Sequence, residues 1–123
     1  MIQKGSIPVN QPSLLFVLGR YASDNLGKIE ELPPFLKIKQ DPKTIDLGPW
    51  FVCAFGHSEA QCVSEAIKQG GHARVGFENN SHLRSGKEAI STAEIIEQTR
   101  DDALAMGKTI ATAQEARELL GII

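Results

Sequence analysis

Two apolar runs closed by glycine constrain this chain more than any other feature: "SLLFVLG", Ser13 to Gly19, and "WFVCAFG", Trp50 to Gly56. Neither alternates polar with apolar residues. Each therefore reads as a strand buried on both faces, the pattern of a parallel sheet covered by helices. A third, shorter run, "ARVGF" at Ala73 to Phe77, reads as another strand. No tight hairpin turn joins any two of them, so consecutive strands need crossover connections.

Helical patterns fill the gaps. "KIEELPPFLKIK" spaces Ile29, Leu32 and Leu36 at helical intervals. The proline pair at 33 and 34 argues against one continuous helix and for a restart at Pro34, since proline fits a first turn. "SEAQCVSEAIKQGG" carries Ala60, Val63, Ala66 and Ile67 as one apolar stripe, opens on a Ser58/Gln61 capping box and closes on Gly70 and Gly71. A helix over Thr92 to Met106 is announced by Ser91 with Glu94 and stopped by Gly107. A last one follows Thr112, with Glu115 completing a third box, and ends at Gly121. The order is β-α-β-α-β-α plus a terminal helix. That alternation predicts an α/β fold with parallel strands and right-handed crossovers. The 123 residues suffice for one domain with a modest core.

The formal net charge is −2 and no block of like charge stands out, which argues against nucleic acid as a partner. No apolar run approaches the ~20 residues of a membrane span. The opening "MIQKGSIPVN" has no apolar core of a secretory signal, so a cytoplasmic location is expected. Cys53 and Cys62 do not form a disulfide framework. With His57 and His72 they fit the spacing Cys-x3-His-x4-Cys-x9-His, but Cys53 sits mid-strand, and the preferred reading is a small buried hydrophobe in a reduced protein. "GKT" at Gly107 to Thr109 follows a helix and lacks the glycine spacing of a phosphate-binding loop.

In parallel α/β folds the working groups sit at the carboxyl ends of the strands. The first end presents Gly19, Arg20 and Tyr21, the second Phe55, Gly56 and His57, the third Glu78, Asn79 and Asn80. The third is the richest in chemistry. A carboxylate there can bind a metal or act as a base, and amides can hydrogen-bond a carbonyl or carboxylate. On an extended strand Arg74 lies about 13 Å before Glu78. Residues 74, 76 and 78 share a face, with glycine between the two charges. The competing reading of Arg74 is a salt bridge packed under the sheet. His57, His72, His82 and Arg20 read as structural or solvated residues rather than ligands.

The stretch "GGHARVGFENN", residues 70 to 80, resembles the signature of the β-keto acid cleavage enzymes, Gly-Gly-His-x-Arg-Val-Gly-(Leu or Phe)-Glu-(Asp or Asn)-Asn. "LLFVLG" is similar to that family's sixth barrel strand, "WFVCAFG" to its seventh, and "TIATAQEARELLG" to its C-terminal tail. The resemblance implies a (β/α)8 TIM barrel of which residues 1–123 form a single partial domain, the last three β/α units. It implies zinc-dependent, Claisen-type exchange between a β-keto acid and acetyl-CoA, giving acetoacetate and a new CoA ester. Glu78 would then be a zinc ligand. Arg74 would be the buried catalytic arginine that fixes the acid–base carboxylate and the substrate.

Two departures qualify that expectation. The family's proton-abstracting aspartate is Asn79 here, and an amide is no base at neutral pH. No His-x-His, the family's other zinc-binding pair, occurs in the sequence. A whole barrel takes roughly 250 residues. The zinc site is therefore expected to be incomplete in this chain. A homo-oligomer or a complementary N-terminal half is the expected partner. A non-catalytic remnant or assembly module, or another α/β-barrel aldolase or lyase, is the alternative.

Overall fold

A computed structural model describes residues 11–20, 26–41 and 47–122. Tyr21, named above at the first strand end, falls outside them. Three strands, β1 (Leu14–Leu18), β2 (Trp50–Ala54) and β3 (His72–Ala73), form one parallel sheet in the order β1-β2-β3. Leu14 pairs with Trp50 and Leu18 with Ala54; Phe51 pairs with His72. The helices are α1 (Leu32–Gln40), preceded by a 3-10 turn at Ile29–Glu31, then α2 (Glu59–Lys68), α3 (Thr92–Ala105) and α4 (Ala113–Leu120). The parallel three-stranded sheet with its crossover helices is the α/β arrangement that the alternating pattern predicted.

α1 begins two residues before the predicted restart. Pro33 and Pro34 fall inside its first turn, where backbone N–H groups have no partner within the helix, so the missing donors cost nothing. The three expected capping boxes fare differently. Thr112 and Glu115 form the full reciprocal box: Glu115 N–H donates to Thr112 Oγ1 at 3.2 Å and Thr112 N–H to Glu115 Oε2 at 2.7 Å. Ser91 accepts from Glu94 N–H, but the Glu94 carboxylate reaches back to Ile90 N–H. Ser58 makes no cap; its hydroxyl donates to Gly27 C=O and ties the start of α2 to the segment after β1.

The core lies between the sheet and α1 and α2. Phe16 and Leu18 from β1, Trp50, Val52 and Ala54 from β2, Leu32 from α1, and Cys62, Val63 and Ala66 from α2 form one buried cluster. Phe16 stacks on Phe35 at 4.9 Å between ring centres. Gly71 lies against Trp50 so closely that a methyl group there would meet the indole at 2.5 Å. The expectation that both long strands are buried on two faces holds for the central one only. On β1, Leu15 is 45% and Val17 44% exposed, because no layer among the described residues covers that side. β1 is an edge strand with α1 and α2 on one face, so its second face stays open.

Both cysteines are free and buried, as the reading of a reduced small hydrophobe expects. Among the described residues no three His, Cys, Asp or Glu side chains gather as a metal group, so the Cys53–His57–Cys62–His72 spacing does not close into a site. Burial, with the charge of Glu31 next, pushes the Cys62 thiol up to about 11. The thiolate is the reactive form, so Cys62 should react with a maleimide about a hundredfold more slowly in the native chain at pH 7.5 than in denaturant. Labelling rates followed by mass spectrometry test this; equal rates would show that the core opens freely.

Candidate functional site

β3 is shorter than the five residues expected. Arg74 N–H still donates to Val52 C=O at 2.9 Å, but the chain then leaves the sheet. The cause is local. Gly76 has φ +144°, a conformation that favours glycine, and its carbonyl accepts from the N–H groups of Asn79 and Asn80 at 3.0 and 3.1 Å. Residues 76–80 therefore form a turn rather than the end of a strand. Ala73 and Val75 pack toward the core, while Arg74 lies on the opposite face, with Nη1 3.7 Å from Cys53 Sγ.

The turn brings together what an extended strand would have kept apart. Arg74 Nη2 and Glu78 Oε2 form an ion pair, in place of the 13 Å separation along a straight strand. The two side chains do meet, but through the turn and not through the strand alternation on which a shared face was expected. Arg74 is not buried: 43% of its side chain is exposed, and the ion pair is a surface one. Asn79 is buried, and its carbonyl accepts from Gly56 N–H at 2.9 Å, stitching the end of β2 to the turn after β3.

A cleft of about 580 Å³ opens at this carboxyl end, lined by Leu26, Gly56, His57, Glu78, Asn79 and His82 among others. A larger groove of about 940 Å³ runs along the β3 edge beside α3; it is mainly apolar and carries Arg74, Arg100 and Lys108. The carboxylate and amides converge on the smaller cleft, and the Arg74–Glu78 pair joins the two spaces. His57 and His82 are exposed at the cleft. His72 sits over Phe51 at 5.0 Å between ring centres, and burial, followed by the charge of Lys39, holds its pKa below the usual imidazole value. Arg20 is exposed.

One residue of the site escaped the sequence reading. Glu59, in the first turn of α2, is 1% exposed. Its carboxylate accepts from Gly76 N–H at 3.3 Å and from Asn80 Nδ2 at 3.0 Å. Burial raises its pKa, against the lowering effect of those two hydrogen bonds. A signal existed: Glu59 lies three, four and seven residues before Cys62, Val63 and Ala66, on the same helical stripe. A glutamate in a first turn ordinarily faces solvent, which hides that signal.

A parallel sheet with crossover helices and a polar cleft at its strand ends defines an α/β protein of the kind that does chemistry at the carboxyl edge. The profile of the family described as "beta-keto acid cleavage enzyme" matches residues 1–122, and the chain belongs to that family. It is 42% identical over 71 residues to a 3-keto-5-aminohexanoate cleavage enzyme of Acetoanaerobium sticklandii, covering 58% of this chain and 26% of that protein. It is 40% identical over 73 residues to one of Fusobacterium nucleatum, covering 59% and 27%. A 3,5-dioxohexanoate:acetyl-CoA acetone transferase of Paraburkholderia graminis is 34% identical over 71 residues, covering 58% and 23%. The matched stretch thus spans about a quarter of the length of these curated relatives.

Proposed function

We propose that this chain contributes the Arg74, Glu78 and Asn79 end of a β-keto acid cleavage site that exchanges an acyl group between a β-keto acid and acetyl-CoA. The observation that carries the reading is the Arg74–Glu78 pair at the strand-end cleft, set within a chain matched to the family over residues 1–122. The relatives' names point to keto acid cleavage and to acetyl-CoA as a partner. The guanidinium is suited to a substrate carboxylate, which it can grip with two parallel hydrogen bonds. The Asn79 side chain can donate to a carbonyl oxygen, but cannot take the proton from the keto acid.

A catalytic zinc takes three protein donors and an open position, where it polarises a carbonyl as a Lewis acid. Among the described residues Glu78 is one carboxylate donor, and no group of three gathers. The described residues do not by themselves fit a complete zinc site. In the proposed whole, Glu78 is one ligand and a His-x-His pair comes from a complementary polypeptide. The open face of β1, with Leu15 and Val17 exposed, supports such a partner or a second copy, and the free, buried cysteines support a reducing, cytoplasmic setting. No helix of the described residues is long and apolar enough to cross a membrane. In this reading the chain is the last three units of a TIM barrel, and the family match displaces the alternative of an unrelated barrel aldolase.

The second reading, a non-catalytic assembly module, rests on Asn79 standing where a base is needed. Acetyl-CoA-dependent cleavage decides between them. The chain alone should show none, whereas the chain joined to a segment bearing the His-x-His pair should produce acetoacetate. A joined protein that folds, binds zinc and still turns nothing over would establish the assembly module.

A further inference from the structure

Three polar residues are buried among the described ones, Glu59, Asn79 and Asn80, and all three meet at the turn that carries Glu78. We infer that Glu59 is a positioning residue for this site, an acceptor-only clamp that holds the Gly76–Asn80 turn and through it the placement of Glu78 and Asn79. The inference rests on the reading of Glu78 and Asn79 as working groups.

The chemistry of the contacts demands a carboxylate. Both partners of Glu59 are donors: the Gly76 N–H to Oε1 and the Asn80 Nδ2 to Oε2. Asn80 cannot rotate its amide to become the acceptor. Its Oδ1 already accepts from His82 N–H at 3.0 Å, and its Nδ2 also donates to His82 C=O. Turning the amide over would break both of those bonds. A glutamine at position 59 would therefore set an N–H group against a donor on one side or the other. Packing alone would be satisfied by methionine, since position 59 shares its stripe with Cys62, Val63 and Ala66. What only the carboxylate supplies is the pair of acceptors, placed where the start of a helix favours negative charge.

The clamp acts at a distance. Arg74 is fixed by the sheet, through its N–H to Val52, while Glu78 is carried by the turn. Their ion pair forms only when the turn holds this arrangement. Freeing Gly76 and Asn80 from Glu59 lets the turn move relative to the sheet, and Glu78 moves away from Arg74.

Amide hydrogen exchange and the Arg74 guanidinium signals, read by NMR on the 123-residue chain, test this. Glu59→Gln leaves either the Gly76 N–H or the Asn80 amide facing a donor, and with the turn loosened in either case it should speed exchange at Gly76 by about tenfold or more. It should also broaden the Arg74 guanidinium signals, while Val52 and Val63 amides in the core keep their protection. Asn80→Asp should do the same by opposing two carboxylates. Combining Glu59→Gln with Asn80→Asp restores donor to acceptor between these two positions: the amide introduced at position 59 can donate to the carboxylate introduced at position 80 and keep its carbonyl for Gly76, while the Asn80 bond to His82 C=O stays lost. That double variant should protect Gly76 clearly better than either single variant. Unchanged Gly76 exchange in Glu59→Gln, or a double variant no better than the singles, would overturn the clamp. If Glu59→Gln fails to fold, Glu59→Met keeps the packing without the acceptors, and full Gly76 protection in that variant would overturn it equally. Zinc titration of the joined protein keeps the two ideas apart: zinc binding that ignores Glu78 sinks the site reading, while the exchange result still stands for the clamp.

Discussion

In the joined protein, Glu78→Ala should weaken zinc binding by on the order of a thousandfold, one ligand's share of the ~10–16 kcal/mol that structural zinc contributes at pH 7. Glu78 is the carboxylate that the turn after β3 presents to the strand-end cleft, and Arg74 is its neighbour in the ion pair. Removing it takes away a metal donor and also leaves the guanidinium without that partner, so Arg74 no longer has a defined place from which to receive a substrate carboxylate. Acetyl-CoA-dependent cleavage should fall with the metal. The chain alone should bind zinc weakly, because a lone carboxylate is a poor site for an ion that takes three or four protein donors. Calorimetric titration of the isolated chain, the joined protein and its Glu78→Ala variant provides the comparison. Stoichiometric, tight zinc binding by the isolated chain would contradict the proposal that its donors come from two polypeptides.

The second large effect is on stability, and it separates the two faces of the sheet. Leu18 is fully buried in the cluster with Val52, Ala54 and Val63. Leu18→Ala should cost about 2–5 kcal/mol, the transfer of the lost atoms plus the cavity they leave. Leu15, three residues earlier on β1, points to the open face and is 45% exposed. Leu15→Ala should change stability by no more than about 0.5 kcal/mol in a monomer. Urea unfolding at two protein concentrations measures both. A large cost for Leu15→Ala that grows with concentration would show the open face covered by a second copy, since association stabilises only the state that binds. A large cost independent of concentration would contradict the arrangement described.

Much of this was readable along the chain. The apolar runs at Leu14–Leu18 and Trp50–Ala54 marked their strands, because a segment with no polar alternation has no face to give to water. Glycines and hydroxyl residues marked where helices start and stop, because backbone groups at helix ends need partners close in sequence. The parallel order followed from the absence of hairpins. The signature at residues 70–80 pointed to the family that the profile match then showed.

Other features depended on contacts between segments far apart in the chain. Ser58 had the local pattern of a cap, yet its hydroxyl bonds Gly27, 31 residues away, because the folded chain places a carbonyl there. The run "ARVGF" had the pattern of a strand, yet only His72–Ala73 is one. Gly76 turns out of the sheet through its own backbone conformation, and the Glu59 carboxylate, 17 residues earlier, takes the N–H that this turn presents. That same contact decides whether Arg74 and Glu78 lie far apart or paired. Sequence by itself determined which residues could be strand, helix or turn, since those preferences are local. Only the tertiary structure decided which buried donor met which acceptor, because such a pairing depends on the positions of two segments that the sequence separates.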